Sequence, residues 1–228
     1  MNARSPTKNR HPAEFDIQHA IRKVRQVNKQ FKVPAVTQVA WRRDPFAVLI
    51  STLISLRTKD DVTATASAQL LDKAPTPAAV VKLSASAIEK LIYPAGFYRT
   101  KAQTIRGVAR VLLDDYDGQV PDDVDELVRL KGVGRKTANL VVTLGYRKPG
   151  ICVDIHVHRI SNRWGYVATP NPDKTEWALR DKLPRRHWIE YNDLLVTFGQ
   201  NVCVPVSPKC SLCPLEDACP RLGVTRHR

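Results

Sequence analysis

Four of the chain's five cysteines, Cys203, Cys210, Cys213 and Cys219, crowd its C-terminal end, with six, two and five residues between successive members. Four thiolates in so short a stretch can hold a tetrahedral zinc ion or an iron–sulfur cluster. Zinc sites usually build two Cys-x2-Cys knuckles or mix in histidine. Here there is one short pair, and no His lies between the cysteines. Unequal spacings wrapped around one group favour iron–sulfur, with zinc as the alternative. Cys152 stands apart. An odd cysteine count, and an N-terminus (MNARSPTKNRHPAEF) with no apolar stretch, argue against a disulfide framework and a secretory leader.

A second group is Leu130-Lys131-Gly132-Val133-Gly134-Arg135-Lys136-Thr137-Ala138, where two glycines separate the end of one helix from the start of the next. Glycine supplies positive φ and lets a backbone come close to another body. Successive N–H groups in such a turn form an anion-binding concavity, to which the next helix N-terminus adds partial positive charge. A DNA phosphate suits that chemistry, and such contacts set register on a duplex without reading its sequence. A lone Gly-x-Gly is also the mark of an ordinary helix–helix turn. The apolar flanks and the Arg135-Lys136 pair weigh toward phosphate, with Gly132, Gly134 and Arg135 as contacts. Lys136 has two uses: it can bind phosphate, or as a neutral amine it can attack a sugar C1′ and form a Schiff base. The local sequence favours the phosphate role.

The third candidate is Asp154, in Val153-Asp154-Ile155-His156. A carboxylate between apolar neighbours is expected to be partly buried, and a buried charge needs a partner or a function. Taken alone, it reads as a helix cap or half of an ion pair. His156 and His158 stand two apart and do not share a helix face, so they make no metal pair.

Elements must position these residues. Apolar steps of three and four at Ile17, Ala20, Ile21, Val24, Val27 and Phe31 predict an amphipathic helix. Phe46–Leu56 is denser and predicts a buried helix starting near Asp44-Pro45. Val62–Leu71, Ala78–Leu83, Ser86–Ile92 and Lys101–Tyr116 predict four more, the last with Ile105, Val108, Ala109 and Leu112 on one face. Pro75 and Pro77 break the chain between them. Pro121-Asp122-Asp123 starts a helix whose acidic first turn suits the dipole, and which ends at Leu130. The stretch 151–164 is ambiguous. Ile151, Val153, Ile155 and Val157 alternate as in a strand, whereas Val157, Ile160 and Trp164 suit a helix.

The 228 residues, 43% hydrophobic and 25% charged, suffice for a real core in one large or two small domains and exclude general disorder. The apolar runs are too short to span a bilayer. With 36 Lys plus Arg against 22 Asp plus Glu, the formal charge is +14. That balance points to a polyanion, nucleic acid ahead of an acidic membrane surface. The expected location is the cytoplasm near the nucleoid, or the nucleus or an organelle in a eukaryote.

LKGVGRKTANLVV, VDIHVHRISNRWG and the 6-2-5 cysteine spacing together resemble the endonuclease III family of DNA glycosylases, of the helix-hairpin-helix superfamily. The resemblance runs from about Phe15 to Cys219, with the motifs in order. It implies an all-α, two-lobed fold: a basic tail at 1–13, a six-helix barrel at 38–148, and a discontinuous domain of 14–37 and 149–228. In that second domain the four cysteines would carry a 4Fe–4S cluster. It also turns 151–164 into a helix. The implied partner is duplex DNA with damaged bases or abasic sites, lying across the cleft with the target nucleotide flipped. Lys136 matches the family's Schiff-base nucleophile, and Asp154 the aspartate that assists base departure. The implied activity is a bifunctional glycosylase and AP lyase of base excision repair, acting on oxidised pyrimidines and cutting 3′ to the abasic site by β-elimination.

Departures from the family pattern bear on substrate. Arg57 stands where the family usually has Gln, filling the gap left by the flipped nucleotide, and Arg offers two donors to a guanine edge. Phe97 stands in the wedge loop where Leu is usual. Both suggest a mismatch or alkylated-base glycosylase as the alternative. The loop VPVSPK leaves Lys209 as its only cation, implying a weaker phosphate grip by that lobe. A non-catalytic, redox-sensing DNA-binding protein is the alternative of another class, and it would need neither Lys136 nor Asp154. One hairpin and one cleft suffice for the chemistry, so a monomer is expected.

Overall fold

The computed structural model describes residues 15–41 and 43–228, so the tail expected at 1–13 lies outside the described residues. Those residues form twelve α-helices and no strand. α1 (Ile17–Asn28) starts where Asp16 accepts a hydrogen bond from the His19 N–H, and it buries Ile17, Ala20, Ile21 and Val24. α2 (Ala35–Ala40) is too short to show a period in the sequence. α3 (Pro45–Ser55) has the capping residue Asp44 and the first-turn proline its sequence predicts. Its residues from Phe46 to Ile54 are all buried. A helix apolar on every side belongs at the centre of a core. α3 packs against α2, α4 (Asp60–Lys73), α7 (Tyr98–Asp115), α9 (Arg135–Leu140) and the π turn Val141–Gly145 that extends α9.

Around this centre lie α5 (Pro77–Lys82), α6 (Ala85–Ile92) and α8 (Val124–Arg129). Thr76, Ser84 and Asp123 cap them, each accepting from the backbone of the first turn. Such caps are worth about 0.5–2 kcal/mol each and explain where these short helices begin. One continuous hydrophobic core runs from Ala40 to Cys152.

A second core joins α1 to α10 (Ile155–Arg163), α11 (Pro172–Lys182) and α12 (Trp188–Asn201). Trp164, Tyr191 and Phe198 fill it, and Phe15 stacks on Trp164 with ring centroids 5.3 Å apart. α1 is held on α12 by Asn28 donating to the Leu194 carbonyl (2.9 Å) and by an Arg25–Glu190 ion pair (2.7 Å). Of the stretch 151–164, expected as helix, only Ile155–Arg163 is helical. Ile151, Cys152 and Val153 are buried but belong to no helix or strand. The alternation is not a strand's, because successive residues are all covered. Among the described residues no helix is long and apolar enough to cross a membrane.

Candidate active site

Lys136 is the second residue of α9, one residue past the hairpin turn. Asp154 is the N-cap of α10: its Oδ1 accepts from the N–H groups of His156 (2.8 Å) and Val157 (2.9 Å). The bland reading of Asp154 as a cap is therefore correct as far as it goes. The other oxygen, Oδ2, faces Lys136 Nζ at 4.0 Å. The Asp154 side chain is 9% exposed and that of Lys136 42%. The pair thus sits at the mouth of a cleft of about 440 Å³ that the two cores form between them. A volume of several hundred Å³ is that of a pocket for one small organic group, such as a flipped base.

The cleft also holds Asp193, which the sequence did not single out, and His156. From α12, Asp193 accepts a hydrogen bond from the Thr37 hydroxyl, and burial pushes its carboxyl above the usual range. His156 lines the same wall, and burial lowers its ring toward the neutral form. Its Nδ1 is 3.1 Å from Arg159 Nη2, which also donates to the carbonyl of Cys203 (2.9 Å). Cys152 is fully buried behind the cleft. Its Sγ–H donates to the Lys136 carbonyl (3.6 Å), and burial pushes the thiol far up, so it is an unreactive packing group.

At the hairpin the two glycines do different work. Gly132 has φ 90°, and a Cβ there would strike Thr104. Gly134 has ordinary φ, and a Cβ there would meet nothing within 4 Å. The fold itself therefore does not require Gly134, which leaves open space for an external backbone. The Arg135 guanidinium, expected on a phosphate, is also held within the fold. It donates twice to buried Glu176, at 3.1 Å each, and lies over the Trp177 ring.

Arg57 and Phe97 are brought together, with the guanidinium carbon 5.6 Å from the ring centroid. Both have left-handed backbones, φ 53° and 56°. Such residues cost about 1–3 kcal/mol each and persist only where surrounding structure imposes them. Gly96 is part of that structure. Its N–H donates to Thr58 Oγ1 (3.1 Å), and a Cβ on it would collide with the Arg57 carbonyl. Gly96→Ala is expected to cost about 1–3 kcal/mol of stability by overpacking backbone against side chain. Urea denaturation checks this, and an unchanged midpoint would show that the two loops do not press on each other.

Cys203, Cys210, Cys213 and Cys219 line one cavity beneath Trp164 and Phe198. Among the described residues no group of three or more His, Cys, Asp or Glu is gathered tightly enough to hold a metal ion. Burial pushes the Cys213 thiol up to about 11 and raises Cys210 and Cys219 as well. Thiolates here would need a bound positive charge. Arg163 Nη1 donates to Cys203 Sγ (3.3 Å) and to the Val204 carbonyl (2.8 Å), which orients that sulfur and favours its thiolate. Lys209 borders the cavity, half-buried. It is not the loop's sole cation in space. Arg228 exchanges backbone hydrogen bonds with Ser211 and Pro208, bringing a second exposed cation beside the loop.

Residues 50–185 match the family described as HhH-GPD superfamily base excision DNA repair protein. Endonuclease III of Thermotoga maritima is 46% identical over 176 residues, covering 77% of this chain and 83% of that one. The chain spans about half (48%) of the longer chloroplastic homologues of Arabidopsis thaliana. Among solved structures, a non-covalent Endonuclease III–DNA complex has a TM-score of 0.80 at 32% identity, covering 90% of this chain and 94% of that one. A trapped Endonuclease III–DNA covalent intermediate has 0.78 at 30%, with the same coverage. The chain belongs to the endonuclease III family, within the HhH-GPD superfamily of base excision DNA repair proteins.

Proposed function

We propose that the protein is a bifunctional DNA glycosylase and AP lyase of base excision repair, acting on oxidised pyrimidines in duplex DNA. The observation that carries this reading is the pairing of Lys136 Nζ with Asp154 Oδ2, 4.0 Å apart at the mouth of a base-sized cleft. The +14 chain supplies the attraction to duplex. Flipping the target nucleotide costs a few kcal/mol, least for a damaged pair. Arg57 and Phe97 fill the gap it leaves.

In the cleft, Asp154 keeps one oxygen on the α10 cap and turns the other toward the reacting sugar. There it either balances, as a carboxylate, the positive charge that develops as the base departs, or takes up the proton that Lys136 must lose. The neutral amine attacks C1′. The bond from C1′ to the base breaks, a C1′–Nζ bond forms, and ring opening leaves a Schiff base. Loss of a C2′ proton then expels the 3′ phosphate oxygen and cuts the strand. The hairpin's Gly132 and Gly134 place backbone N–H groups against phosphate.

We read the two cores as a barrel of 38–148 and a second domain of 14–37 with 149–228. Cys203, Cys210, Cys213 and Cys219 would hold a 4Fe–4S cluster in the latter. Such a cluster spreads its thiolates wider than one zinc ion does, and when bound it supplies the charge that ionises them. Arg228 and Lys209 would give that lobe its hold on DNA. A monomer located with DNA, in a nucleoid, nucleus or organelle, suffices.

The test is a set of duplexes carrying thymine glycol, uracil opposite guanine, or 3-methyladenine. Excision with strand cleavage on thymine glycol, at least tenfold faster than on the others, is expected. Preference for a mismatch or an alkylated base would assign Arg57 and Phe97 that specificity. Tight binding with no product would leave a DNA-binding protein without catalysis.

A further inference from the structure

Lys101 takes no part in this reaction, yet it is a buried cation. It lies on the apolar face of α7, one turn before Ile105, and is 8% exposed. Its ammonium donates to the carbonyls of Ile54 (2.6 Å) and Leu56 (2.6 Å) and to Thr58 Oγ1 (2.7 Å). Three protons meet three acceptors, the full donor capacity of a lysine. Burial pushes the group down to about 8, so it is still charged at neutral pH. A lysine so enclosed cannot reach a DNA phosphate.

The acceptors lie where the chain leaves α3 and passes through Arg57. Thr58 Oγ1 also accepts from the Gly96 N–H, which precedes Phe97. One ammonium therefore ties together two loops distant in sequence, each ending in a side chain held on a left-handed backbone. The Arg57 guanidinium and Phe97 ring are in contact at the outcome. Phe97 is 63% exposed, an apolar tip projecting into solvent.

We infer that Lys101 is a positioning residue for strand penetration: its three hydrogen bonds hold the Arg57 and Phe97 loops as one preassembled wedge. The inference rests on the function proposed above but concerns insertion into the base stack, not chemistry at Lys136. A bare role at the end of α3 would also use a cation there, since helix C-termini attract positive charge. That role predicts loss of stability alone.

The experiment compares wild type with Lys101→Met, which keeps the chain's length and loses the ammonium. Three readouts are taken: borohydride trapping on single-stranded DNA with one abasic site, excision of thymine glycol from duplex, and fluorescence of 2-aminopurine placed opposite an abasic site. Penetration unstacks the probe and raises its emission. Trapping on the single strand should stay within about twofold of wild type. Duplex excision should fall about 100-fold, the scale set by misplacing groups by an ångström, and the rise in emission should vanish. Thr58→Val removes only the shared hydroxyl. It should show the same split to a smaller degree, and it serves if Lys101→Met does not fold. Retained duplex excision and emission in the variants would overturn the inference, as would equal losses on both substrates. If wild type forms no adduct on any DNA, the proposed function fails, while the emission readout still decides the wedge.

Discussion

Lys136→Ala is expected to give no covalent adduct when borohydride is added to protein and a duplex with one abasic site. Binding to the same duplex should stay within about threefold, since one lost cation removes one phosphate-scale interaction among several. The structure makes this a clean substitution. The Lys136 side chain is 42% exposed and its one charged partner, Asp154, lies at 4.0 Å. Truncation therefore leaves no cavity, and stability should change by no more than about 0.5 kcal/mol. Trapping reads only the carbon–nitrogen bond, so its loss isolates the nucleophile from binding and folding. An adduct that persists would move the nucleophile to another amine, and Lys59, which lines the same cleft, would be tested next.

Asp154→Asn is expected to slow base removal by about 10²–10⁴-fold, the range for a positioned acid–base group. Its two oxygens have separate duties, and the substitution divides them. Asn caps helices about as well as Asp, so the bonds from His156 and Val157 survive and stability should hold within a few tenths of a kcal/mol. The charge facing Lys136 is what disappears. Asp154→Ala should be equally inactive and also lose about 1 kcal/mol with the cap. Timed excision of a damaged base, beside urea denaturation of both variants, checks this. A near-normal rate for Asp154→Asn would reduce the residue to a cap and an ion pair.

Most of what is local in this molecule was legible in the chain. Asp44-Pro45 announced the start of α3, and Pro121-Asp122-Asp123 that of α8, because caps and first-turn residues act over three or four positions. The hairpin motif, the cysteine spacing and the Val153-Asp154 segment carried the family, and with it Lys136 and Asp154. Short α2 escaped notice because six residues cannot display a period.

Lys101 leaves a trace in the chain: it falls one turn before Ile105, on the apolar stripe of α7. A lysine there is either misplaced or satisfied by something distant, and its acceptors lie 43 to 47 residues away. The same distance hid the fate of Arg135. Its sequence neighbours suggest phosphate but give no sign that Glu176, 41 residues on, also binds the guanidinium. VPVSPK reads as poor in cations until the C-terminus folds back and sets Arg228 beside it.

The sequence by itself thus determined several of the helices and the family, and named Lys136 and Asp154 as candidates for the reaction, since those rest on short-range spacing and on motifs a chain carries in order. Only the tertiary structure decided which charged side chains pair within the fold and which loops they tie together, because their partners lie 41 or more residues away in the chain and no periodicity records such meetings.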